Sequence, residues 1–362
     1  LVRIIFLYSE NSESALLFAL QERFESKRFY TFAGDVLLAL NPYDVLPTIY
    51  DDTVQRLYRH NNKVSSLPAL VTPHFVDLLV HFQHVFSVAE KALARVENEQ
   101  SKHEAICFCG ESGSGKTFVL MRCANYLIST SAQPTSGRIS TVQQLEAVER
   151  VLDAFGAART LKNSGATRTA YYVEFMYRRY RGFAVRTTLQ QQQQQQQPQI
   201  QVHVEPSRIV MQRPGECNFN VFYELCAGLD ASEKRKLGLK STAAAAAIDQ
   251  QYFYLNQGKV PSNEAVERRK FEQLCSALQL LGISEHQQNF MHRILATILH
   301  IGNLFFKPTK RVEYDSTNNA PSSTTVGVEI ANEGELKWCA YLLEVQLESL
   351  HRLFTKKQVV GT

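Results

Sequence analysis

An α/β fold is predicted by three features of the sequence. Gly110-Glu111-Ser112-Gly113-Ser114-Gly115-Lys116-Thr117 fits the phosphate-binding pattern G-x-x-x-x-G-K-[ST]. Ala105-Ile106-Cys107-Phe108-Cys109, just before it, is an apolar run of strand length. Thr117 to Ile128, just after it, lacks proline and glycine and carries Leu120, Ala124, Leu127 and Ile128 at helical spacing. A strand, a glycine-rich loop and a helix in this order form the centre of a P-loop NTPase core, which implies a mostly parallel central sheet flanked by helices.

The composition of the loop follows from its chemistry. Consecutive backbone amides must point into one concavity, so Gly110, Gly113 and Gly115 stand where a Cβ would block approach or where φ is positive. Lys116 would set its ammonium on the β/γ-phosphates of ATP, Thr117 would give its hydroxyl to Mg²⁺, and the helix N-terminus would add its dipole.

The remaining elements follow in order. Phe29 to Ala33 and Val36 to Leu40 are strands separated by Gly34-Asp35, and Asn41-Pro42 closes them in a turn. Val85 to Val96 is an amphipathic helix, as is Val142 to Ala154 after the polar loop Ser129 to Ser140. Tyr171 to Tyr177 and Gly182 to Thr188 form a hairpin with Arg178 to Arg181 at its turn. Gln190 to Gln197, ended by Pro198, buries no apolar area and loops into solvent. Val221 to Gly228, Asn263 to Leu281 and His286 to His300 are helices, with Leu281-Gly282 a helix end. Pro308 to Gly327 is polar and turn-rich, and Gly334 to Phe354 is helical again.

Composition narrows the function classes. With 362 residues and 44% hydrophobic content the chain builds a large core. Its net charge of +4 is mild and its basic clusters are scattered without stacking aromatics, which argues against a nucleic-acid partner. Seven cysteines without a C-x-x-C pair suit reduced, buried thiols of an intracellular protein; Cys107 and Cys109 are expected to pack on one face of their strand. His74, Asp77, His81 and His84 fall at helical spacing that a zinc ion would accept, although such residues are more often structural. No apolar stretch reaches membrane-spanning length and Leu1 to Tyr8 is too short for a signal peptide, so a cytoplasmic protein is expected, and the initial leucine suggests a piece of a longer one.

Several further motifs in register resemble the motor head of myosins along essentially the whole chain. Gly110 to Thr117 is similar to the family's GESGAGKT, with Ser114 for alanine. Tyr30 to Gly34 and Leu40-Asn41-Pro42-Tyr43 resemble YTYSG…VNPY, and His84 to Glu90 resembles HIFAVAE. Leu152 to Asn163 is similar to LEAFGNAKTxxN. Ser207 to Val210, Asn218 to Leu225 and Ile298 to Asn303 resemble SRVV, NYHIFYQL and ILHLGN. Kinesins share the loop, but the 51 positions from Lys116 to Thr167 favour a myosin.

The resemblance implies a nucleotide-binding core over 1–188, a glutamine-rich insertion over 189–206 and a mainly helical upper subdomain over 207–362. It places Asn41, Pro42 and Tyr43 beside the adenine and assigns Asn163, Thr167 and Arg168 to the first nucleotide switch. Thr117 and Thr167 would then bind Mg²⁺, and Lys116, Thr167 and Arg168 would form the catalytic set, Arg168 pairing with a glutamate of the second switch. ATP or ADP and, in the complete protein, actin filaments are the implied partners, at the actin cytoskeleton or cell cortex. Light chains and cargo are not legible, and the chain ends before the second switch would appear.

Departures from the family pattern point to a second reading. Ala166 has no hydroxyl where the family places a serine beside the γ-phosphate and attacking water, which should harm hydrolysis more than binding. Asp44 replaces a Lys or Arg near the nucleotide, Phe118-Val119 replace Glu-Asn, and the glutamine tract lengthens a short connection. Ala166, Gly165, Asp44 and the glutamine insertion suit a catalytically impaired pseudo-motor, a cortical actin-associated scaffold resembling the Dachs-type myosins.

Overall fold

Apolar periodicity and helix caps set the described elements of the computed structural model, which covers residues 12–44, 46–60, 83–98, 100–101, 103–131, 141–170, 173–178, 182–186, 203–240, 252–314 and 321–356. In chain order, α1 (Glu13–Glu25), β1 (Tyr30–Ala33), β2 (Val36–Ala39), α2 (Asp52–His60), α3 (Val85–Glu97), α4 (Lys116–Ser131) and α5 (Thr141–Gly156) come first. Short strands follow: β3 (Ala157–Ala158), β4 (Ala166–Thr167), β5 (Thr169–Ala170), β6 (Glu174–Arg178), β7 (Gly182–Arg186) and β8 (His203–Val204). Then come α6 (Pro206–Val210), α7 (Asn220–Gly228), α8 (Ala231–Lys236), α9 (Phe253–Asn256), α10 (Glu264–Leu280) and α11 (Glu285–Gly302). The hairpin β9 (Phe306–Tyr314) and β10 (Pro321–Ile330) precedes α12 (Glu333–Leu343) and α13 (Leu347–Thr355). The chain divides into one unit of Leu1–Glu146 with Tyr171–Gln201 and another of Ala147–Ala170 with Val202–Thr362.

The first unit is organised around α4. One of its faces contributes Cys123, Tyr126 and Leu127 to an apolar cluster with Tyr30, Tyr58, Phe86 and Leu93; another contributes Met121, Ala124 and Ile128 to a cluster with Leu145. A helix buried on two faces holds its N-terminus, and the loop that feeds it, in a fixed direction. The buried Arg23 ties α1 to β1 by donating to Thr31 Oγ1 at 2.6 Å and to the Tyr30 carbonyl at 2.8 Å. β1 and β2 pair antiparallel with Ala33 opposite Val36, and Gly34 takes φ +62° in the tight turn, as the sequence predicts.

His84 caps α3: its Nδ1 accepts from the Phe86 amide at 3.2 Å while Tyr30, Tyr50, Tyr58 and Phe86 surround the ring. Burial pushes its pKa down to about 3, so the folded protein keeps the ring neutral. An unfolded histidine titrates near 6.5, so the unfolded chain binds the extra proton first and stability is lost as pH falls from about 6.5 towards 3. Between pH 7 and 5 this contributes a loss of about 2 kcal/mol. His84→Asn, which keeps a capping oxygen, should flatten that part of the pH profile in urea titrations.

The second unit is mainly helical. α7 is its centre, with Val221 to Ala227 all buried, and Phe271, Leu274 and Leu278 of α10 join the same cluster. Gly228 allows this approach, because a Cβ there would lie 2.1 Å from the Phe271 ring. α10 ends as the sequence predicts: Gly282 has φ +84°, its amide donates to the Gln279 carbonyl, and Ile283 donates to Leu278.

Four expectations need correction. The described strands form five antiparallel two-stranded pairs, so the mostly parallel central sheet is not among them. Ala105 to Cys109 lies outside the strands; Ile106 and Phe108 pack on the first unit's apolar cluster, while Cys107 and Cys109 are exposed rather than packed. Pro308 to Gly327 falls largely within β9 and β10, paired from Phe306–Ile330 to Tyr314–Pro321, because its Thr and Val content suits an extended ribbon even though its polarity suggests a loop. The tracts at 132–140 and 187–202, and His74, Asp77 and His81, lie outside the described residues.

The fourth correction concerns Gly334 to Phe354, which forms two helices. Glu344 stops the first by adopting φ +57°, with its amide donating to Tyr341 O and the Val345 amide to Ala340 O. This left-handed position favours glycine, and the exposed pair of Glu344 with Arg293 at 2.8 Å recovers little of the cost. Glu344→Gly should therefore stabilise the protein by about 1 kcal/mol, read as a higher denaturation midpoint with unchanged slope.

Candidate nucleotide site

In the first unit the predicted loop has the backbone that phosphate binding requires. Gly110, Gly113 and Gly115 take φ of +150°, +85° and +89°, conformations closed to most side chains. A Cβ at Gly110 would come within 2.6 Å of Ser114 Oγ, so a side chain there would fill the cradle. The Ser114 amide donates to Glu111 O at 3.2 Å, and the Val119 amide donates to Gly115 O at 2.9 Å, marking the switch from turn to helix. Ser112 is exposed, whereas Gly113 to Thr117 are half-buried.

Lys116 folds over the loop, its ammonium donating to Gly110 O at 2.6 Å and Glu111 O at 2.5 Å. That contact keeps a cation beside the glycine backbone, where a phosphate oxygen is a stronger acceptor than a carbonyl. Asn41 joins the turn after β2 to the loop: its Nδ2 donates to Gly113 O at 2.8 Å and its Oδ1 accepts from the Tyr43 amide at 2.9 Å. Pro42 is half-buried and Tyr43 is exposed, with φ +52° at the turn. A Cβ at Gly115 would meet the Asn41 amide group at an ordinary 3.6 Å, so the φ of +89°, and not lack of space, is what calls for glycine there. The glycine cradle, the cation and the Thr117 hydroxyl at the start of α4 fit a Mg²⁺–triphosphate group.

Phe118 takes no part in that polar set. Its ring meets Tyr50 edge to face at 5.4 Å and lies 4.8 Å from the Arg122 guanidinium, a local cation–π cluster on the first turns of α4.

The predicted first-switch residues lie in the second unit on the hairpin of β3 and β4, where Ala157 faces Thr167 and Ala158 faces Ala166. Its connection is closed by Asn163, whose carbonyl accepts from the Thr160 amide at 2.8 Å and whose Oδ1 accepts from the Gly165 amide at 3.1 Å. The Asn163 side chain thus shapes a turn. Ala166 is fully buried, and Thr167 and Arg168 are half-buried.

Arg168 is held at both ends. Its amide donates to Gly156 O at 2.7 Å, and its Nε donates to Glu205 Oε2 at 2.7 Å. Arg208 Nε donates to the same oxygen at 2.8 Å, and Arg208 Nη2 donates to Glu216 at 3.0 Å. The Arg168 hydrogen bond, and after it Arg208, outweigh burial and hold Glu205 down at about 2. Sequence reasoning missed Glu205, because it stands 37 residues from Arg168 and meets it through the pairing of Thr169 with Val204. No local signal marks such a pair. The link from Asn41 to Gly113 was equally hidden, although both residues were singled out.

The sequence matches the family described as myosin head (motor domain) over residues 5–362. It is 30% identical to Myosin-2 of Saccharomyces uvarum, covering 96% of this chain and 20% of that protein. Unconventional myosin-XVB of Homo sapiens is 30% identical over 95% of this chain and 10% of its own length. Protein OPAQUE1 of Zea mays is 29% identical over 85% of this chain and 18% of its own. The chain thus spans a fifth or less of these relatives. With the family covering nearly every residue, the chain belongs to the myosin head (motor domain) family, a P-loop NTPase fold.

Proposed function

We propose that this chain is the nucleotide-binding part of an actin-based motor head, taking Mg·ATP or ADP on the phosphate loop and the adjoining Asn41-Pro42-Tyr43 turn. The observation that carries this reading is the loop itself: three glycines with positive φ, Lys116 across the cradle and Asn41 bonded to Gly113. When bound, Mg²⁺ neutralises triphosphate charge, with Thr117 as the candidate ligand on the phosphate loop. Lys116 orients the phosphates, and Arg168 is the candidate switch cation. Actin filaments are the partner proposed for the complete protein, which places it at the actin cytoskeleton. No helix among the described residues is long and apolar enough to cross a membrane. Co-sedimentation of the complete protein with actin filaments tests the reading: pelleting that Mg·ATP weakens supports it, and no pelleting with or without nucleotide contradicts it.

Ala166 favours a second reading, a motor head that binds nucleotide but turns it over slowly, acting as a cortical scaffold. Alanine has no hydroxyl to offer at this position, where the side chain is fully buried and the backbone pairs with Ala158. Ala166→Ser should raise the single-turnover hydrolysis rate of the complete protein by roughly tenfold or more, the scale of one lost positioning contact. An unchanged rate in a folded variant would remove Ala166 as the cause.

A further inference from the structure

Within the second unit, α8, α11 and α12 surround a cavity of about 770 Å³ that opens beside a shallower groove. Leu229, Leu237, Leu342, Val345 and Leu347 line the cavity, giving it an apolar floor. The volume suits one large side chain with part of its backbone. The groove is walled by Arg235, Lys236, Lys337, Trp338 and Tyr341, and it shares Lys236 and Tyr341 with the cavity. Cations therefore stand on both banks, from α8 and from α12.

The walls are shaped by close packing. Gly238, at φ +67°, ends α8, and a Cβ there would strike the Trp338 indole at 2.3 Å. His300 stacks on the same indole at 6.0 Å with only 10° between the planes. Trp338 is thereby fixed, while Tyr341 meets it edge to face at 5.8 Å and remains 66% exposed.

The placement of charge sets the ligand class. The acids stand on the cavity and not on the groove: Glu233 accepts from the Asp230 amide at 3.0 Å and keeps its charge, Glu285 lines the same rim, and Glu344 pairs with Arg293 at 2.8 Å. Lys337 has only a loose, exposed contact with Glu333 at 3.8 Å, and Arg235 Nε donates to a carbonyl of its own helix. Lys236 has no ion pair among the described residues. A groove lined by three cations and no acid, beside an aromatic wall and a cavity with an apolar floor, calls for a ligand with spaced negative charges and a hydrophobic group. A free phosphate or a flat lipid surface would use the cations and leave the cavity empty.

We propose that this cleft docks an acidic linear segment of a partner protein, with its carboxylates over Arg235, Lys236 and Lys337 and one large apolar side chain in the cavity. Trp338 is the sole tryptophan of the chain, so its fluorescence reports the groove directly. The full chain is titrated with an acetylated decapeptide of alternating glutamate and leucine, with the same peptide carrying lysine for glutamate, and with vesicles of phosphatidylcholine containing phosphatidylserine. A saturable change in Trp338 emission with the acidic peptide alone is expected. Lys337→Glu and Tyr341→Ala, both on exposed side chains, should each weaken that binding about tenfold while the thermal midpoint stays unchanged. A lysine peptide of equal affinity, a response to vesicles alone, unaltered binding by both folded variants, or no saturable response to any probe would each overturn the proposal.

Discussion

Replacing Lys116 by alanine is expected to lower affinity for Mg·ATP by roughly a hundredfold, equivalent to about 3 kcal/mol. The ammonium already lies at the cradle, 2.6 Å from Gly110 O and 2.5 Å from Glu111 O, so it needs only to exchange carbonyl oxygens for phosphate oxygens. Those carbonyls belong to exposed residues and regain water when the ammonium is gone, so the variant should fold normally. Lys116→Arg should rescue only part of the loss, because a planar guanidinium cannot reproduce a compact point charge in a glycine-lined cradle. Displacement of a fluorescent ATP analogue measures affinity, and an unchanged melting curve separates lost contact from lost fold. Equal affinities of Lys116→Ala and the native chain would remove Lys116 from the site.

The second large effect is structural. Arg150→Met should cost about 3 kcal/mol of stability by stranding the carboxyl of Glu224. Arg150 Nη2 donates to Glu224 Oε2 at 2.5 Å and to Lys270 O at 2.8 Å, while Nη1 reaches Asp153 at 3.2 Å. The Glu224 side chain is fully buried and its other oxygen has no hydrogen-bond partner among the described residues. Burial lifts its pKa to about 7 even with Arg150 opposing, so this carboxyl sits at the edge of neutrality. Because the folded value exceeds the ordinary 4.5, its contribution to stability is complete below about pH 4.5 and fades as pH rises through 7. Adding Glu224→Leu to Arg150→Met should recover at least half of the loss, since a pair removed together leaves no orphan charge. Denaturant titrations of both singles and the double measure this coupling, and strict additivity would contradict it.

Much of this was legible because the deciding information is local. Gly282 ends α10 and Asn263 caps it, both through contacts within a few residues. The loop Gly110 to Thr117 declares itself in the same way, since each glycine answers a local backbone demand. What stayed hidden depends on distant partners. Whether Ala105 to Cys109 joins a sheet depends on a neighbouring strand, and the exposed Cys107 and Cys109 show a segment packed on one side only. β9 and β10 pair through polar residues whose alternation carries no burial signal, so their sequence reads as a loop. The pairs of Arg168 with Glu205 and Asn41 with Gly113 join segments far apart in the chain.

Equilibrium titration of the full chain with ATP, ADP and AMP in the presence of Mg²⁺ tests the phosphate loop most directly. Saturable binding of ATP and ADP, competed by inorganic tripolyphosphate, with AMP weaker by at least tenfold, is the expected result, because a cradle of amides and one lysine recognises the β- and γ-phosphates. AMP binding as tightly as ATP, or no saturable binding of any of the three, would contradict it.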